Sequence, residues 1–207
     1  MQFAEPITSE EQLRAVTGWP APRALDKEIA TLDVHCRAII AKSPFVLISS
    51  SDAEGRVDVS PKGDPPGFVQ VLDASTLAIP DRPGNRRADT YRNVLQNPRV
   101  GLLFLVPGRN ETLRVNGRAL IVRDAGLRER MAVKGKAPQL ALIVSTEEVF
   151  VHCGKCMLRS NLWDHEARLD VTGLPSHARC LVDHAGLTQP LEAVEASVQE
   201  GNKNKLY

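Results

Sequence analysis

The sequence has few aromatic residues, almost no net charge and no long apolar run. Aromatic side chains make up 4% of the 207 residues, too few to form the stacking platforms that bind single-stranded nucleic acids. Lys and Arg number 26 against 25 Asp and Glu, so no bulk charge draws the chain to nucleic acid or to an anionic membrane. The longest apolar run, residues 100–106, is far shorter than the roughly 20 residues of a membrane-spanning helix. We therefore expect no nucleic acid and no membrane among the partners.

Cysteine is also scarce. Four cysteines in 207 residues are too few for a disulfide-based scaffold, and the acidic N-terminal sequence MQFAEPITSEE lacks the apolar core of a secretion signal. Both features favour a reducing compartment and predict a cytoplasmic protein. The length corresponds to about 1.4 average domains, which indicates one domain with extensions.

The first segment, residues 1–43, predicts a helical extension packed on the rest of the chain. Apolar spacing favours helices at residues 23–32 and 34–42, and the Asp33 carboxylate can cap the second of them by accepting a free backbone N–H.

The second segment, residues 44–150, predicts about six short antiparallel strands separated by turn signals, with a helical insert at residues 88–95. Closure of such a sheet into a barrel would remove the exposed edges of its apolar strands. Residues 151–207 predict mostly helix and loop. The fold class is therefore mainly β with flanking helices (α+β), built on a small closed antiparallel barrel.

The most informative stretch is the loop IPDRPGNRR after the fourth strand. It places Arg82, Arg86 and Arg87 around Gly84. A guanidinium group matches the oxygens of a phosphate, and glycine lets the backbone approach a ligand. The start of the helical insert adds free N–H groups and a partial positive charge. The loop predicts a phosphate site, with a solvated charged loop as the alternative.

A second group of polar residues ends the second predicted strand, where Ser60 and Lys62 precede a GDPPG loop. In a barrel this strand can lie beside the strand that ends at Pro80 and Asp81. Ser60 and Lys62 would then add a hydroxyl group and an ammonium group to the same anion site. A solvent-exposed lysine at a strand end is the alternative.

The segment His152-Cys153-Gly154-Lys155-Cys156 contains a CxxC motif, whose spacing suits two thiolates on one metal ion or a redox pair. Structural zinc needs four ligands, and the remaining cysteines and histidines form no second compact pair. Structural or incidental cysteines are the third interpretation.

The order of these motifs resembles the pyridoxamine 5′-phosphate oxidase-like superfamily, the FMN-binding split β-barrels. The resemblance rests on VDVSPKG, then IPDRPGNRRADTYRNVLQNPRVGLLFL, then TLRVNGRALIV, and it covers residues 45–123. A subgroup known only as FMN-dependent proteins also resembles the later segment VHCGKCMLRSNLW. The resemblance implies a six-stranded Greek-key split barrel and a homodimer that holds two FMN molecules in grooves between its subunits.

The resemblance assigns the phosphate to particular residues. Arg86 and Arg87 fall on the family's phosphate-binding basic pair, and Asn85 falls on its serine. Lys62 falls on the lysine that closes the cofactor-binding strand.

The resemblance also assigns contacts with the flavin. Pro80 and Asp81 fall on a Tyr-Thr pair that contacts the flavin chain, and Thr112 falls on a flavin-contacting glutamine. The C-terminal Arg-Leu-His motif of the vitamin-phosphate oxidases is not recognisable here. The resemblance therefore implies FMN binding but not oxidation of pyridoxamine phosphate.

The subgroup resemblance adds Lys155, Cys156, Arg159 and Trp163, which would line the neighbouring subunit's flavin. Arg159 and Trp163 lie four residues apart, so they share one face if this stretch is helical.

The sequence thus predicts an FMN-dependent oxidoreductase that moves hydride or electrons to or from an unknown small molecule. Two alternatives stay open: a non-catalytic protein that binds a flavin, a haem or a deazaflavin, and a CxxC zinc or redox protein. No residue is assigned a catalytic role. The predicted cofactor-binding residues are Ser60, Lys62, Pro80, Asp81, Arg82, Asn85, Arg86, Arg87, Thr112, Lys155, Cys156, Arg159 and Trp163.

Overall fold

The structure is a computed structural model that describes residues 3–207. Its described strands are β1 (Phe45–Ser51), β2 (Val57–Gly63), β3 (Gln70–Val71), β4 (Thr76–Pro80), β5 (Arg99–Leu105), β6 (Thr112–Val122) and β7 (Ala141–His152). Its described helices are α1 (Glu10–Thr17), α2 (Pro22–Leu25), α3 (Val34–Lys42), α4 (Asp89–Gln96), α5 (Ala125–Arg130), α6 (Lys155–Ser160), α7 (His177–Ala185) and α8 (Leu191–Asn204).

The strands form one antiparallel sheet in the order β2-β1-β5-β6-β7-β4-β3. This architecture confirms the predicted class, a mainly antiparallel sheet with flanking helices. The sheet has seven strands rather than six, because the two-residue strand β3 adds to its edge. It is also not closed, since no pairing within residues 3–207 joins the edge strands β2 and β3. Helix α4 packs instead against β1 and β2, where it buries Tyr91 and Val94.

The core is formed by the buried residues of the sheet together with α3 and α4. In β1 and β5 every second residue is buried, as the period of two in a strand requires. The fully buried side chains include Val46, Ile48, Phe104, Leu113, Val115, Val144 and Val149. Ile39 and Ile40 of α3 pack into the same cluster.

Helix α3 has the predicted bounds, and the Asp33 carboxylate caps it by accepting the backbone N–H of Cys36 at 2.8 Å. The prediction of a helix at residues 23–32 is wrong beyond Leu25. Backbone groups of Ile29 bond to those of Val149 on the edge of β7, at 2.7 and 3.0 Å. These long-range bonds hold the segment extended.

The C-terminal part differs from expectation at α6. This helix ends at Ser160, and Asn161 has the left-handed conformation that terminates helices. Trp163 therefore lies beyond the helix, so the condition under which Arg159 and Trp163 would share a helical face is not met. No described helix combines the length and apolarity needed to cross a membrane.

Candidate functional site

The sequence predicted that β2 lies beside β4, but the two strands do not pair and are separated by four other strands in the sheet. The residues that follow them do meet. Arg82, two residues after β4, donates a hydrogen bond from Nε to Oδ2 of Asp64, just after β2, at 2.5 Å. Only 1% of the Asp64 side chain and 16% of the Arg82 side chain are exposed. A second bond joins Arg82 Nη2 to the carbonyl oxygen of Met131 at 2.9 Å. This ion pair holds together the ends of β2 and β4, and the surface around these two strand ends is called the rim below.

One face of β2 supplies polar side chains to this rim. Asp58, Ser60 and Lys62 are half-buried on the face toward α4, while the intervening residues of the strand are exposed. The Lys62 ammonium lies 5.9 Å from the centre of the Tyr91 ring of α4. Burial, together with the charge and hydrogen bonding of Asp81, raises the pKa of the Tyr91 hydroxyl, which therefore stays protonated.

The loop between β4 and α4 is exposed and locally strained. Arg86 and Ala88 have φ angles of 62° and 57°, in the left-handed region that residues with side chains seldom adopt. Such strain costs on the order of 1–3 kcal/mol per residue and is often found where a loop binds a ligand. Asn85 Oδ1 accepts the backbone N–H of Arg87 at 3.0 Å, which orders the turn.

The two arginines before α4 differ from Arg82 in their surroundings. Arg87 Nε donates to Asp89 Oδ2 at 2.7 Å, but the Arg87 side chain is 71% exposed. Within residues 3–207, the exposed Arg86 guanidinium makes no hydrogen bond or ion pair. The guanidinium groups of Arg86 and Arg87 are therefore open to an incoming anion, whereas the Nε and Nη2 atoms of Arg82 are already bonded to protein oxygens.

Asp58 is a site residue that the sequence reasoning missed. Its Oδ2 atom is buried and has no hydrogen-bond partner within the described chain. Its negative charge helps to raise the pKa of the Arg87 guanidinium, although the main cause is the hydrogen bond with Asp89. The alternation of β2 could have identified it, because Asp58 shares a face with Ser60 and Lys62.

Pro80, Asp81 and Thr112 lie in the sheet or at its end rather than in the exposed loop. Pro80 is buried opposite Ala141, and the Asp81 backbone N–H donates to Leu140 at 3.0 Å. Thr112 is 4% exposed at the start of β6. It lies opposite His152, whose Nδ1 atom is buried and has no partner in the described residues.

The four C-terminal candidates form a separate group. Lys155, Cys156 and Arg159 are exposed on α6, and the Trp163 Nε1–H donates to the carbonyl oxygen of Arg109 at 2.8 Å. Helix α6 follows the C-terminal end of β7, whereas β4 pairs with the N-terminal half of that strand. No hydrogen bond or ion pair between described residues joins this group to the basic loop.

The CxxC cysteines are exposed free thiols. Across the part of the chain that the structure describes, no three His, Cys, Asp or Glu residues are grouped so as to hold a metal ion.

A comparison with protein families identifies the fold family. The family described as pyridoxamine 5′-phosphate oxidase matches residues 32–153, more than half of the chain. The chain belongs to the pyridoxamine 5′-phosphate oxidase family. No curated protein matches the sequence.

Solved structures of similar fold have low sequence identity to this chain. HupZ of Group A Streptococcus is 17% identical over 57% of this chain and 92% of its own, with a TM-score of 0.48. An FMN-binding protein of Syntrophomonas wolfei is 12% identical over 56% and 86%, with a TM-score of 0.43. HutZ, the heme storage protein of Vibrio cholerae, is 15% identical over 59% and 94%, with a TM-score of 0.41.

The match to the pyridoxamine 5′-phosphate oxidase family contains the whole sheet and the basic loop, but it ends before α6. The family assignment therefore covers the candidate residues from Ser60 to Thr112. The four candidates in and after α6 depend on the subgroup resemblance alone.

Proposed function

We propose that this chain is an FMN-dependent oxidoreductase that binds FMN between the subunits of a homodimer and exchanges hydride or electrons with a small molecule. The observation that carries the proposal is the exposed Arg86 guanidinium, which has no partner within residues 3–207, in the loop next to the strand end that bears Lys62 and Ser60. The family assignment and the resemblance to FMN-binding split barrels support it. Bound FMN would supply the redox chemistry at its N5 atom.

The rim suits the phosphate of FMN. Arg86 and Arg87 are open to solvent, and Lys62 and Ser60 lie on the adjacent strand face. Each charge-assisted hydrogen bond contributes roughly 1.5–3 kcal/mol, so three of them supply much of the ~8 kcal/mol behind micromolar affinity. Arg82 is left out of this set, because its Nε and Nη2 atoms are already bonded to Asp64 and to a backbone carbonyl.

Asp58 suits the sugar-alcohol chain of FMN. A buried carboxylate oxygen without a donor is costly, and hydroxyl groups are donors that would satisfy it. Asp58 precedes Ser60 on the same face of β2, so the phosphate and the hydroxyl-bearing chain would follow one strand. We propose Asp58 as an addition to the predicted cofactor-binding set.

A second subunit would complete the site. The outer face of β2 exposes 69% of Val57 and 57% of Val59, and within residues 3–207 no strand pairs with the second edge of β2. Apolar side chains on an unpaired edge strand favour association. We propose that the partner covers this face and that its Lys155, Cys156, Arg159 and Trp163 line the flavin.

The absorption spectrum of the purified protein, with the cofactor stoichiometry per dimer, tests the proposal most directly. We expect a flavin spectrum and two FMN per dimer. Reduction of that flavin by a nicotinamide donor or by a candidate substrate would support turnover. A Soret band, a deazaflavin band or a colourless protein that does not take up added FMN would contradict the proposal.

A further inference from the structure

We propose that a second site, a groove beside α3, binds a small amphipathic organic anion, with an apolar ring system below and a carboxylate at the rim. The groove has a volume of about 630 Å³, within the usual range for small-molecule sites. None of its lining residues belongs to β2 or to the basic loop, so it does not overlap the proposed phosphate site. It adjoins the C-terminal candidates, because the carbonyl oxygen of the lining residue Arg109 accepts the Trp163 Nε1–H.

The floor of the groove is apolar. It is formed by one face of α3, the extended segment that pairs with β7, and the last residues of β7. Ile39, Val149 and Phe150 contribute side chains that are less than a tenth exposed, and Val106 also lines the groove. Burial of an aromatic ring or short alkyl chain here would remove apolar surface from water on both partners.

The rim of the groove is basic. Lys27, Lys42, Arg109 and His35 line it. Lys42 has no ion-pair or hydrogen-bond partner within residues 3–207. Arg109 faces Glu111 at 3.4 Å, but both side chains are nearly half exposed, so the pair is weak.

Lys27 holds a defined position above the floor. Its Nζ donates to the carbonyl oxygen of Val151 at 3.0 Å and lies 4.8 Å from the centre of the Phe150 ring. The Arg114 guanidinium lies 5.1 Å from the same ring. The aromatic floor thus already has two cations beside it, and neither forms an ion pair with a carboxylate within residues 3–207.

The acidic groups at the groove do not neutralise this rim. Asp33 is the lining carboxylate, and one of its oxygens is used to cap α3. Burial, with the hydrogen bond and charge of Asp33, raises the pKa of the Cys36 thiol to about 11. The thiol is therefore uncharged at neutral pH. The positive groups outnumber the negative ones above an apolar floor. The groove therefore favours a ligand that has a negatively charged end and an apolar end.

Binding can be measured by calorimetry with a matched pair of probes, 1-naphthaleneacetate and 2-(1-naphthyl)ethanol. We expect the acid to bind at least tenfold more tightly than the alcohol. Lys42→Glu should weaken binding of the acid at least tenfold and change that of the alcohol less than twofold. Lys203→Glu, on the exposed last turn of α8, is the matched control and should change neither.

A second variant tests the location. Ala38→Trp places a large side chain at an exposed groove-lining position of α3, so both probes should lose binding without loss of the fold. Equal affinity for acid and alcohol, no binding of either, or an equal effect of Lys42→Glu and Lys203→Glu would overturn the proposal. So would displacement of the acid by FMN, or a dimer that dissociates in Lys42→Glu, since the groove would then be a flavin site or a subunit contact.

Discussion

Asp64 joins three distant parts of the chain through one carboxylate. Its Oδ2 accepts from Arg82, and its Oδ1 accepts the Tyr207 hydroxyl at 2.6 Å. The Tyr207 ring also lies near two cations, 5.7 Å from the Arg82 guanidinium and 5.3 Å from the Lys134 ammonium. Arg82 and Tyr207 thus both donate hydrogen bonds to the same buried carboxylate. Through Tyr207 the C-terminal segment packs at the rim of the candidate site.

Arg82→Met should destabilise the protein strongly, because it leaves the Asp64 charge buried without its ion-pair partner. The expected loss is about 3–5 kcal/mol in the free energy of unfolding, measured by urea denaturation. Tyr207→Phe removes one hydrogen bond and should cost about 1–2 kcal/mol. Arg86→Met, in the same loop, is the control and should stay within about 0.5 kcal/mol of wild type. Equal losses for Arg82→Met and Arg86→Met would contradict a structural role for Arg82.

Arg86→Ala should have the opposite effect from Arg82→Met. It should weaken retention of the cofactor and leave the free energy of unfolding nearly unchanged. If Arg86 contacts the phosphate, its removal costs one charge-assisted hydrogen bond and lowers FMN affinity by about tenfold or more. Dialysis followed by absorbance at the flavin band measures the loss. Arg123→Ala, an exposed arginine after β6, should retain FMN as wild type does. Unchanged flavin content in Arg86→Ala would remove the loop from the site.

The basic residues of the candidate site could be identified from sequence. Which of them is held in an ion pair and which are open to a ligand could not. Arg86 and Arg87 form a dense charged cluster beside Gly84, which is a local signal. The engagement of Arg82 depends on Asp64, 18 positions earlier, and no spacing rule links them. The alternation of β2 places Asp58 on the face of Ser60 and Lys62, but the burial of its oxygen, which has no partner within residues 3–207, follows from packing and not from that alternation.

The long strands β6 and β7 depend on one glycine. Their register shifts between Asn116 and Gly117, where Glu147 forms the extra residue of a β-bulge. A Cβ atom at Gly117 would overlap the backbone carbonyl of Ser145. The close approach of the two backbones therefore requires a residue without a side chain.

Gly117→Ala should accordingly destabilise the sheet by about 2 kcal/mol or more, because either the bulge or the pairing must move. Gly201→Ala is the matched control. Gly201 lies within α8 and has open space around its Cα, so the substitution should stabilise the protein by up to about 1 kcal/mol. Urea denaturation of both variants gives the comparison. A neutral Gly117→Ala would mean that the bulge is not needed.

Elements with local signals were predictable at this scale, and elements held by distant partners were not. Asp33 as a cap and the apolar period of α3 identified that helix to the residue. Asp124 caps α5 in the same way, by accepting the backbone N–H of Leu127 at 2.7 Å. The extended backbone at Ile29 exists because it bonds to β7, about 120 residues away, and the local sequence carries no sign of it.

At the scale of the whole molecule, the single chain holds the two halves of the proposed site apart. The basic loop follows β4, α6 follows the far end of β7, and the edge strand β2 exposes valines on its outer face. A homodimer related by a two-fold axis would bring the loop of each subunit to α6 of the other. The proposal therefore makes Arg86 and Arg159 members of one site contributed by different subunits.

Mixing two inactive variants tests this arrangement. Arg86→Ala and Arg159→Ala homodimers should each lose both FMN sites. After unfolding and refolding together in equal amounts, half of the dimers should be mixed, and each mixed dimer has one site with both arginines intact. About one quarter of all sites should then bind FMN again, as two-fold symmetry requires. If both arginines served a site within one chain, every site would remain defective, and the mixture would bind no more FMN than its components.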